Sequence, residues 1–122
     1  MATMENYQTK TYIAGSDLSA KQFFFVSIAA DGEVDSTGNG AAAVGVLLNT
    51  PTAAQPATVA YSGRVLVSAG GTITAGDNVA SDAAGECVTA ASTDIILGVA
   101  REDGVDGQTI AIDFFLGGNA EA

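Results

Sequence analysis

Glycine and other turn formers interrupt this chain every few positions, and the runs between them are too short for ordinary helices. Turn signals stand at Asp31-Gly32, Gly38-Asn39-Gly40, Ser62-Gly63, Gly70-Gly71, Ala84-Gly85, Asp103-Gly104 and Asp106-Gly107, where Gly and Asp tolerate the backbone angles that tight turns require. The intervals are rich in Val, Ile, Thr and Phe, which suit short strands. The clearest is Thr109 to Leu116. Ile110, Ile112, Phe114 and Leu116 fall on one face of an extended chain, and Thr109, Ala111, Asp113 and Phe115 on the other. Further strands are expected at Thr9–Ala14, Gln22–Ala30, Ala43–Leu48, Thr58–Tyr61, Arg64–Ser68, Glu86–Thr89 and Ile95–Ala100. With 122 residues the chain is one domain. The expected fold class is all-β, a small compact barrel-like or sandwich-like domain with at most one short helix, for which Ala41–Ala43 is the candidate.

The chain also matches itself. Asp17–Lys21 resembles Thr72–Gly76, 55 positions on. Asp31–Val34 resembles Ala84–Cys87 and Val44–Val46 resembles Leu97–Val99, each 53 positions on. Ala57–Ala60 resembles Gln108–Ala111, 51 positions on. Four matches in one order point to a duplicated unit packed around a shared core. The expected organisation is a flexible N-terminal arm at residues 1–9, a single β domain at 10–118 with halves of about 10–63 and 64–118, and a tail at 119–122.

Charge narrows the function. Fourteen acids face four bases, Lys10, Lys21, Arg64 and Arg101, for a formal net charge of −10. The bases are scattered, which argues against nucleic acid and anionic membranes as partners. The N-terminus lacks a basic region followed by an apolar one, and no stretch has the roughly 20 apolar residues of a spanning helix. The expectation is a soluble protein made in the cytoplasm.

Little in the chain carries chemistry. Histidine is absent, which removes the commonest general base and metal ligand. Cys87 is the single thiol and has no histidine to activate it. It matches Val34 in the repeat, so it reads as a small buried hydrophobe. The acidic run Glu102–Gly107 lacks calcium-loop spacing and reads as a turn, as do Asp77 and Asp82. No phosphate-binding loop, nucleophile elbow or zinc motif occurs. The expectation is a protein that is not an enzyme, with no catalytic, cofactor or metal residues.

The second half carries a recognisable string: Gly63-Arg64-Val65-Leu66-Val67-Ser68-Ala69-Gly70-Gly71-Thr72-Ile73-Thr74-Ala75-Gly76-Asp77-Asn78-Val79, then Ser81-Asp82-Ala83-Ala84-Gly85, Ile96-Leu97-Gly98-Val99-Ala100 and Gly107-Gln108-Thr109-Ile110. The first half adds Val44-Gly45-Val46-Leu47, Pro51 and Ala57-Thr58-Val59. Over residues 10–117 the chain resembles the small capsid decoration, or cement, proteins of tailed bacteriophages. The resemblance implies a structural virion protein on the outer surface of an assembled capsid, with the major capsid protein as partner, a homotrimeric state and a shell-stabilising role. Under that reading Tyr7, Gln8, Thr9 and Lys10 of the arm are capsid-contact candidates, because their side chains suit strand addition to a shell edge. Phe23, Phe25 and Phe115 are candidates for the trimer interface, on the argument that adjacent rings in a strand point to opposite faces. The alternatives are another virion or cell-surface module, such as a tail or fibre part, and a carbohydrate-binding module. The last is disfavoured by the absence of Trp and by the scatter of Tyr7, Tyr12 and Tyr61.

Overall fold

The computed structural model describes residues 5–115 and 120–121. Nine strands follow in order: β1 (Glu5–Ala14), β2 (Phe25–Ala30), β3 (Glu33–Ser36), β4 (Gly45–Leu47), β5 (Pro56–Ser68), β6 (Asn78–Ser81), β7 (Cys87–Thr89), β8 (Gly98–Ala100) and β9 (Thr109–Phe114). Among the described residues there is no helix, and Ala41–Ala43 is irregular, its Ala41 N–H closing a turn on the Gly38 carbonyl at 3.2 Å. The protein is a small all-β domain.

The pairings form two rings. In the first half β1 pairs with β3, β3 with β2, β2 with β4, β4 with β5, and β5 back with β1. In the second half β5 pairs with β9, β9 with β8, β8 with β6 and β6 with β7. A parallel bridge from Ala69, just past β5, to Cys87 of β7 brings that ring back to its start. Each half is therefore a small barrel, and β5 belongs to both. Closure leaves few strand edges unpaired.

The rings are equivalent down to single hydrogen bonds. Ala14 pairs with Val34 as Ala69 pairs with Cys87. The Gly15 N–H donates to the Val34 carbonyl at 2.8 Å, and the Gly70 N–H to the Cys87 carbonyl at 2.8 Å. The Ala14 N–H donates to Gln55 at 2.9 Å, and the Ala69 N–H to Gln108 at 2.8 Å. Leu48 N–H to Thr58 corresponds to Arg101 N–H to Ala111, at 2.8 and 3.0 Å. That last pair corrects one self-match. Residues 57–60 stand where 110–113 stand, 53 positions on rather than 51. The two-residue slip preserves which side chains face inward, so alternation in the sequence could not expose it.

Apolar side chains fill both barrels at matching positions. Ala14, Leu18, Val26, Val34, Leu47, Ala57 and Val59 form one core. Their counterparts Ala69, Ile73, Val79, Cys87, Ala100, Ile110 and Ile112 belong to the other. The second cluster also takes in Phe25, Val46, Ala60, Val65 and Phe114, and these knit the halves together. Phe25 and Phe114 lie with ring centroids 6.1 Å apart. The Phe25 N–H donates to the Gly85 carbonyl at 2.8 Å, and the Gly40 N–H to the Ser81 carbonyl at 2.9 Å.

Several expectations change. Residues 5–9 were expected in a flexible arm but form the first half of β1, because their N–H and C=O groups find partners on β5: Glu5 lies opposite Arg64, Gln8 opposite Ser62 and Thr9 opposite Ala60. Residues 1–4 lie outside the described residues. Strands expected separately at 58–61 and 64–68 are one strand, and the expected boundary at 63/64 falls inside it. The apolar strand begins at Phe25 rather than Gln22, since Phe23 has φ +68° and breaks the extended run. Strands β3 and β6 were not expected. Leu116, assigned to the strand that is β9, lies outside the described residues, as do residues 119 and 122 of the expected tail.

Positive φ falls at equivalent positions of the two halves with the residue types exchanged: Phe23 (+68°) against Gly76 (+92°), Ala54 (+68°) against Gly107 (+90°) and Thr93 (+72°) against Gly40 (+65°). A side chain in this region costs about 1 kcal/mol or more, and glycine's extra unfolded-state freedom offsets part of any relief. Ala54→Gly is therefore expected to leave stability within about 0.5 kcal/mol of the parent. Gly107→Ala has open space but the wrong φ and should cost about 1 kcal/mol. Gly98 is different, because a Cβ there would collide with the Asp113 carbonyl oxygen across β8 and β9. Gly98→Ala should cost about 3 kcal/mol. Equilibrium urea unfolding of the three variants checks this order.

Candidate docking surface

Strand β1 holds the four contact candidates. Tyr7, Gln8, Thr9 and Lys10 are all exposed, Tyr7 at 43%. Pairing to β5 fixes Gln8, Thr9 and Lys10, and Tyr7 lies at the irregularity of the ladder between Glu5 and Gln8. The Lys10 Nζ lies 5.1 Å from the centre of the Tyr61 ring, joining β1 to β5 by a cation–π contact. Sequence reasoning missed Tyr61, whose contact with Lys10 joins residues about 50 positions apart.

The three phenylalanines expected at an oligomer interface separate. Phe25 is fully buried in the core and is unavailable to a neighbour. Alternation does not extend back to Phe23, which is half-buried and whose N–H and C=O bond to Leu47 and Ser68 at 2.6 and 2.9 Å. Phe115 is 39% exposed and follows β9, its N–H on the Leu97 carbonyl at 3.1 Å. Ile28 and Val105 are also exposed, at 51% and 52%.

The acids have a structural use. Asp17, Asp77, Asp82, Asp94 and Asp103 each accept a hydrogen bond from a backbone N–H outside the strands, and Glu102 accepts from Ala111 within β9. Asp82 takes two, from Ala84 and Glu86, both at 2.9 Å. A chain dense in turns has many backbone donors outside strand ladders, and carboxylates satisfy them. The Ser19 hydroxyl and N–H beside Asp17 hold its carboxyl below the ordinary value. The cations are spread thinly: Lys21 lies 5.1 Å from the Phe24 ring, and Arg64 and Arg101 reach Asp113 at 3.8 and 3.3 Å.

Nothing among the described residues assembles a reactive centre. No group of three or more metal-ligating side chains occurs among them. An open groove of about 270 Å³ is lined by Thr72, Ile73, Thr74, Asp103, Gly104, Val105 and Gln108. Its one carboxylate already accepts from the Ala75 N–H at 2.8 Å, and the groove holds no nucleophile paired with a base. Cys87 faces the barrel interior, fully buried, and burial pushes its thiol well above the ordinary value, with Asp82 adding to the shift. The described residues form a closed all-β module of two fused barrels, with Tyr7, Ile28, Val105 and Phe115 among the exposed large side chains.

No family model matches the chain, and no protein of curated function does. Among solved structures the fold is similar to the head fibre gp8.5 N base of bacteriophage phi29. That likeness has 18% sequence identity and a TM-score of 0.74, and covers 94% of this chain and 99% of the phage protein's chain.

The raised thiol makes a prediction. The folded protein keeps Cys87 protonated, whereas the unfolded chain ionises near 9.0. The stability tied to this group is therefore complete below that pH and is lost as pH rises above it. Native protein at pH 8 should react with a thiol reagent only as fast as it unfolds. Cys87→Val, which installs the residue of the equivalent position, should lose less stability between neutral and strongly alkaline pH than the parent.

Proposed function

We propose that this protein is a structural component of a phage virion, bound to the outer surface of the assembled head, where it stabilises the shell through contacts with the major capsid protein. The supporting observation is the near end-to-end likeness to a head fibre base, together with the decoration-protein string in the second half. A protein that binds the assembled shell and not its separated parts stabilises it by mass action. A net charge of −10 keeps such a protein soluble at high copy number and away from nucleic acid. The reading includes a homotrimer on the target, which places equal surfaces around a three-fold position. Tyr7 and Lys10, exposed on β1, are the contacts assigned to the shell. A second reading, the base of a fibre, is favoured by the neighbour's own description; it shares the virion role and differs in what the protein carries outward.

Two measurements test this. Antibody-gold labelling of purified virions should decorate the head evenly, and labelling confined to the tail overturns the placement. Tyr7→Ala with Lys10→Glu should lower the melting temperature by no more than a few degrees, since both side chains are exposed and only the Lys10–Tyr61 contact is lost. The pair should weaken co-sedimentation with heads stripped of the protein by at least about tenfold. Wild-type affinity in the double variant removes β1 as the contact face.

A further inference from the structure

The contact that joins the two barrels recurs on the second one, beside the junction at Gly40, where the chain's own C-terminal residues occupy it. In the first barrel the Gly40 N–H donates to the Ser81 carbonyl of the second half. In the second barrel the equivalent residue, Thr93, donates to the carbonyl of Glu121 at 2.8 Å. Phe25 of the first barrel packs on Phe114 of the second. Its counterpart Asn78 reaches the Glu121 carboxylate, Nδ2 to Oε1, at 3.0 Å. The Glu121 N–H donates to the Asp94 carbonyl at 2.8 Å, and Ala120 bridges to Ile95. Ala120 and Glu121 thus stand on the second barrel where the second barrel stands on the first.

The complementary face is also present twice, and one copy is largely exposed. The second barrel fits its socket with Ser81 fully buried and Phe114 nearly so, and with the Gly85 carbonyl. The first barrel carries Ile28, Tyr61 and Gly32 at those positions. Ile28 is 51% exposed, Tyr61 half-buried and Gly32 exposed. A large aliphatic side chain in water at a position that is fully buried in the sister barrel marks a face built for a partner.

We infer that Ala120–Glu121 form a self-cap on a second copy of the barrel–barrel socket, and that releasing the cap opens this socket to the Ile28 face of another molecule. The occupant is a second copy of this chain because its first barrel carries the positions that fit the first socket. Asn78 in place of Phe25 makes the second socket more polar and its contacts weaker, which lets a two-residue cap compete with a whole barrel. The contact uses different surfaces on the two molecules, so it joins them head to tail. The inference does not rest on where the protein sits on a virion.

The test uses the isolated protein. Sedimentation velocity over a concentration series compares wild type, Glu121→Pro, which removes the N–H that bonds to Asp94, and a chain stopped after Phe115, each with and without Ile28→Asp. Both uncapped proteins should associate about tenfold or more tightly than wild type, the scale of one or two net hydrogen bonds. Ile28→Asp should return them to the wild-type value. Equal association with and without the cap overturns the inference, as does association that ignores Ile28→Asp. Circular dichroism melting confirms that the variants are folded. If the truncated chain is not, Glu121→Pro, which keeps every other residue, decides alone.

Discussion

The structure depends on β5. Its thirteen residues, Pro56 to Ser68, close one barrel with their first part and open the other with their second. The first part pairs with β1 and β4, and the second with β9. A strand shared in this way fixes the relative position of the barrels without a hinge, because bending it would break ladders on both sides. It also makes the two cores interdependent. A barrel of about 55 residues is marginal alone, and here each borrows a wall from the other.

The halves are alike inside and differ where they meet. Val26 and Val79, or Val59 and Ile112, fill the same places in their barrels. Outward positions diverge. Phe25, Val46 and Ala60 on the first barrel are apolar and buried. Their counterparts on the second are Asn78, which is exposed, and Val99 and Asp113, which are half-exposed. Val65 is fully buried, while Lys10, at its place in the first barrel, is exposed on Tyr61. A repeated unit thus becomes a single domain by turning one outer face apolar and keeping the other polar. The same arrangement explains the acidic composition, since turns repeated in both halves leave backbone donors that carboxylates satisfy.

Much of the fold was legible. Period two in Thr109–Phe114 marked β9, and three of the four self-matches lie in the observed correspondence or within a two-residue insertion of it. The misses have physical causes. Glu33–Ser36 and Asn78–Ser81 hold too many polar residues to look like strands, yet each is the partner, 53 positions away, of a segment that was expected to be one. Carrying the repeat through would have found both. Phe23-Phe24-Phe25 suggested alternation, but the backbone turns at Phe23, which is why Phe25 lies in the core. The N-terminal segment looked like a loose arm because Tyr7–Thr11 is polar; its pairing lies with residues about 50 positions later, beyond the reach of local pattern. The four residues expected to touch a capsid are exposed on β1, while the burial of Ser81, the residue equivalent to exposed Ile28, shows only in the correspondence of the barrels.

The β1–β5 ladder also orders events during synthesis. Its partners are separated by as many as 59 positions, Glu5 to Arg64, so the first barrel cannot close until the chain has been made past the middle. From then on β5 has one finished side and one waiting side. Val65 and Val67 are fully buried only when the second core is built around them, and β9, which covers that stretch, comes from the last part of the chain. At translation speeds of about 5–20 residues per second, that wait lasts a few seconds. Throughout it, a half-clad apolar strand stands beside the ribosome with its ladder unfilled, open to pairing with any neighbouring strand edge.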